Sequence, residues 1–90
     1  SLPTILAYVQ DGQLIVSAIE GFANAVFAAG VKPELREPVT KAIARAKAAL
    51  SAALRAGSGV EKLSQADVAA AFKEFQLAYT DLVNLMAAVP

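Results

Sequence analysis

Residues 4–24 read TILAYVQDGQLIVSAIEGFAN, and two incompatible structures compete for them. Asp11 and Gly12 stand between apolar runs at 4–10 and 13–19, the arrangement of a two-residue hairpin turn. Val9, Ile15, Val16 and Ile19 are β-branched, and such side chains suit a pleated strand. Against the hairpin, Gln10, Gln13, Ser17, Glu20 and Asn24 recur at spacings of 3, 4, 3 and 4. That rhythm passes through Asp11 and Gly12 unbroken and gathers the polar residues into one narrow stripe of an α-helix. The helix is the preferred reading, with Gly12 a point where it can bend.

Around the stripe stand Ile5, Leu6, Val9, Leu14, Ile15, Val16, Ile19, Phe22, Val26 and Phe27. Most of the circumference is therefore apolar, and a helix of that kind is buried on several sides. Two further helices from the same chain cover too little of it. Leu14, Ile15, Ile19, Phe22, Val26 and Phe27 are accordingly the expected self-association residues.

Working outward, Gly30 closes this first segment and Val31, Lys32, Pro33 and Glu34 form a connector. Gly57, Ser58 and Gly59 close a second. The pattern predicts helices over about 3–29, 34–56 and 64–88, in a single domain spanning 1–90. Pro38 demands a short turn at 33–37, a main helix from about Pro38, or a kink, because its ring strikes the carbonyl four residues back unless it lies in a first turn. The second helix carries Leu35, Val39, Ile43, Ala46, Leu50 and Leu54 on one side. Ala44, Ala48 and Ala52 share another face, suited to close approach by a neighbour. In the third, Ser64 and Asp67 read as an N-cap with its capping box. Val68, Phe72, Phe75, Tyr79, Leu82 and Met86 follow at spacings of 4, 3, 4, 3 and 4, the seam of a bundle core. Residues 57–63 are the expected flexible stretch. The fold expected is all-α, either a three-helix bundle or an extended three-helix subunit completed by neighbouring chains.

The totals narrow the function. The chain is 57% hydrophobic, which asks for more burial than 90 residues supply. It contains no histidine, cysteine or tryptophan, so nucleophile–base pairs built on histidine or cysteine cannot form. Glu34 with Glu37, and Asp67 with Glu74, are the nearest approach to carboxylate pairs. Their place near helix starts explains most of them as partners of the helix dipole. No glycine loop has phosphate-binding spacing, and no acidic pattern suits a hard metal. No cofactor is expected, and no enzymatic activity.

Eight basic and eight acidic residues cancel, so no overall field recruits nucleic acid. The charges are still uneven: between Pro38 and Val60 only Lys41, Arg45, Lys47 and Arg55 are charged. These four can face an anion, but complementing the acids of neighbouring helices, in one chain or between copies, is the preferred reading. No run reaches the roughly 18 apolar residues of a spanning helix. The nearest approach, 12–31, holds Glu20 near its middle. No secretory leader pattern is visible, and synthesis in the cytoplasm or residence in a virion is the expected location. The leading expectation is a non-enzymatic structural subunit that self-associates or packs into a virion, tail or filament. The alternative is a helical protein that binds an apolar ligand or lies on a membrane surface.

Overall fold

The computed structural model describes residues 2–58 and 65–89. Helix α1 runs unbroken over Leu2–Ala28. The hairpin alternative for 4–19 is therefore overturned. A type I′ turn at Asp11 and Gly12 needs positive φ at both residues; among the described glycines only Gly30 has it, at 80°. The polar stripe prevails because it is consistent over four helical turns, whereas a strand scatters the same residues over both faces.

α1 ends as its sequence suggests. The Gly30 N–H donates to the Phe27 carbonyl at 3.0 Å, and the Val31 N–H donates to the Val26 carbonyl at 3.3 Å. This pair of bonds, around a left-handed glycine, is a Schellman cap. Lys32 follows with φ 47°, then a single 3-10 turn over Pro33–Leu35 and helix α2 over Arg36–Ser58. Pro38 thus falls in the first turn of α2, where its missing N–H has no intrahelical acceptor to lose. The helix starts two residues later than the expected 34, because Pro33 and Glu34 belong to the 3-10 turn. It also outlasts the expected end at 56. Gly57 lies inside it rather than beyond it, since a single glycine costs only about 1 kcal/mol in an alanine-rich run. Helix α3 spans Gln65–Ala87. Ser64 and most of the stretch expected to be flexible, 59–63, lie outside the described residues.

α2 sits between the other two helices, and its two buried rows show how. Residues about 100° apart per step put Ala42, Ala49 and Ala53 on one side. Val39, Ile43 and Leu50 lie on the next, with Ala46 between; all seven are buried. The alanine row faces α3, on the evidence of Arg45 reaching Glu74 and Asp81 beside it. With no side chain beyond Cβ, this row lets the α2 and α3 backbones approach closely. From α3, Val68, Phe75, Ala78 and Leu82 are buried, while Phe72, Tyr79 and Met86 of the same seam are half-buried. The core contains no buried polar or charged side chain among the described residues.

The molecule is a rod of 45 × 18 × 17 Å with a radius of gyration of 14.3 Å. A rounder domain of this length has about 12 Å. The elongation follows from helices of 23 to 27 residues laid side by side, and it leaves each helix a long outer flank.

Candidate interaction surface

α1 turns its small residues inward and its large ones outward. Val9, Gly12, Val16 and Ala23 are buried, with Phe27 at the C-terminal end. Leu14, Tyr8, Phe22 and Ile15 are 74, 59, 56 and 45% exposed. The inversion has a cause in the neighbours. A Cβ placed on Gly12 lies 2.9 Å from Phe75 Cζ and 3.1 Å from Leu50 Cδ2, so α2 and α3 already fill the space over α1 with bulky side chains. No side chain of α1 fits at that level, and the neighbouring Tyr8, Leu14 and Ile15 lie on the flanks.

The exposed residues of α1 form an ordered row. Tyr8, Ile15 and Phe22 recur every 7 residues and so lie along one line, with Ile19 and Val26 half-buried beside it. Leu14 stands on the outer edge. Of the six residues expected to mediate self-association, Leu14, Ile15 and Phe22 are thus at the surface. Ile19 and Val26 are packed against the core margin. Phe27, 8% exposed, belongs to the core and leaves the set. The reason is its helical position, directly above Val9, Val16 and Ala23 rather than above Ile15 and Phe22. Tyr8 was not among the expected residues, although its spacing of 7 from Ile15 marks it.

This row borders α3. The rings of Tyr8 and Phe72 are 6.3 Å apart, and those of Phe75 and Tyr79 are stacked at 5.8 Å. Tyr8 meets Phe72 and Gly12 meets Phe75, so both chains climb in the same direction and α1 and α3 are parallel. On the α3 side the surface continues through half-buried Phe72 and Tyr79 to Val83, 42% exposed. Leu77, 51% exposed, stands farther round.

Three basic residues of α2, Lys41, Arg45 and Lys47, meet acids of the same chain. Lys47 Nζ lies 2.6 Å from Glu20 Oε1 on α1. Arg45 forks to α3, 3.1 Å from Glu74 and 2.9 Å from Asp81. The hydrogen bond with Glu74, then that with Asp81, raises the Arg45 pKa and holds the guanidinium in its charged form. Lys41 pairs with Glu37 one turn earlier, at 3.0 Å. Arg55 also has an interaction of its own. Lys41, Arg45, Lys47 and Arg55 are therefore engaged with the protein itself. Between α2 and α3 an open trough of about 540 Å³ has Ala42, Leu85 and Ala88 on its walls and Lys41, Arg45, Asp81 and Asn84 on its rim.

Among the described residues no group of three or more Asp and Glu side chains is placed to hold a metal ion, and no helix is long and apolar enough to cross a membrane. Comparison of the chain with protein-family models, curated proteins and solved structures gives no match.

Proposed function

We propose that the protein is a non-enzymatic structural subunit. It associates with copies of itself, or with other subunits of a particle, tail or filament, through the apolar flank of α1. The observation that carries this reading is the row Tyr8, Ile15 and Phe22, with Leu14 at its edge, exposed along a helix whose inner side is already filled. A contiguous apolar strip of this kind marks a contact surface rather than scattered surface hydrophobics.

Light scattering across a dilution series tests the reading. The expected result is a mass above 9.3 kDa that falls on dilution. Phe22→Glu is expected to return the chain to a monomer with unchanged helical circular dichroism, because Phe22 is outside the core. A folded Phe22→Glu variant of undiminished mass overturns it.

A second reading, adsorption to a membrane surface or binding of an apolar ligand, draws on the same flank and on the trough between α2 and α3. The ion pairs of Lys41, Arg45 and Lys47 weigh against it, as does α1's lack of any basic residue to face phosphates. Flotation with anionic liposomes separates the two: the structural subunit stays at the bottom of the gradient.

A further inference from the structure

The surface shared by α1 and α3 carries one acid and one base, and neither has an ion-pair partner among the described residues. Glu20, the other charge of α1, is taken by Lys47, while Glu74 and Asp81 of α3 are taken by Arg45. Asp11 stands on α1 between Tyr8, Leu14 and Ile15. Lys73 stands on α3 just beyond Phe72. Both are exposed. The contacts of Tyr8 with Phe72 and of Gly12 with Phe75 place them within about 3 Å of the same height along the rod. No ion pair joins them within one copy.

We infer that this face binds the same face of a second copy about a two-fold axis running along the helices. Each α1 then lies on α3 of the other copy, and Asp11 meets Lys73 of the partner subunit twice. The inference rests on the self-association reading and specifies its geometry. A two-fold interface is self-complementary, so a face with an acid on one helix and a base at equal height on the other satisfies both pairs at once. The competing two-fold axis, across the helices, lays α1 antiparallel on α1. That helix has no basic residue, so Asp11 finds no opposite charge there. Tyr8, Leu14, Ile15, Phe22 and Val83 are 59, 74, 45, 56 and 42% exposed, leaving roughly 500 Å² of apolar surface per copy from side chains of this size. A pair then buries on the order of 1,000 Å², the lower bound of a specific interface, which makes the association reversible and dependent on concentration.

Charge reversal in the full chain tests it, with dissociation constants from sedimentation at low salt. Asp11→Lys and Lys73→Asp each put like charges together twice and are expected to weaken association about tenfold. The double variant is expected to recover to within about threefold of the parent, because the pairs re-form with exchanged sign. Melting of the diluted monomer should not change, since both residues are on the surface. Self-association that persists without this rescue overturns the axis while leaving the subunit reading in place. A parent chain that is monomeric at every concentration removes the axis and, with it, the self-association on which it rests. Ile15→Cys gives an independent check, since the chain has no other cysteine and Ile15 is at the midpoint of α1. Ready oxidation to a disulfide dimer means α1 lies antiparallel on α1 and overturns the axis; a dimer that does not cross-link supports it, because α1 and its copy are then beyond disulfide reach.

Discussion

The backbone of Gly12 lies directly against the Phe75 ring, with no room between them for a methyl group. The Cβ position is 2.9 Å from Phe75 Cζ, well inside van der Waals contact. A helix-interior glycine normally sacrifices about 1 kcal/mol relative to alanine. Here that sacrifice lets a ring sit where a side chain cannot. Gly12→Ala is expected to destabilise the fold by about 1–2 kcal/mol, because overpacking of about 1–3 kcal/mol outweighs the gain in propensity. Urea unfolding measures it, and combining it with Phe75→Leu should recover part of the loss.

Gly21 is the control. It is in the same helix, is exposed, and has nothing within 4 Å of its Cβ position. Gly21→Ala is therefore expected to stabilise by about 0.5–1 kcal/mol from propensity alone. A loss at Gly21 as large as that at Gly12 contradicts the assignment of the Gly12 effect to Phe75.

The connection between α1 and α2 holds two left-handed residues, Gly30 at φ 80° and Lys32 at φ 47°. They should respond in opposite directions. Gly30→Ala forces a Cβ into the left-handed region and is expected to cost about 1 kcal/mol in thermal unfolding. Lys32→Gly relieves the same strain and is expected to be neutral or to stabilise by up to about 1 kcal/mol.

Arg45 reaches two acids that are two helical turns apart on α3. A guanidinium fork spans them, whereas an ammonium holds one at a time. Arg45→Lys is expected to recover less than half of the melting-temperature loss seen in Arg45→Ala. The difference should shrink in high salt, because the groups are about half exposed.

Much of the helical layout was legible from spacing. The seam from Val68 to Met86, the cap at Gly30 and the first-turn placement of Pro38 follow from rules that act within a few residues. The surplus of apolar residues on α1 was legible too, and three of its six expected contact residues are exposed. Which side of α1 faces inward was not. That depends on Phe75, some sixty residues away, meeting a glycine, and nothing near Gly12 announces it. Phe27 was misassigned for the same reason: on a helix apolar all round, local pattern does not choose the inner face. The ion pairs of Arg45 and Lys47 with α3 and α1 match the preferred reading of helix-to-helix complementarity. Their partners needed the fold.

Among the described residues the core holds no buried polar side chain, which bears on how unique the fold is. Sliding one helix along another by a turn strands no buried side-chain donor or acceptor among the described residues, and breaks only the exposed pairs of Arg45 and Lys47. The vertical setting is held by shape, a notch in α1 that admits one ring, together with the ion pairs of Arg45 and Lys47. The notch works as a key. Filling it need not unfold the chain; it weakens the contact that favours one alignment, with native helicity kept and the Phe75 ring signals shifted in nuclear magnetic resonance spectra.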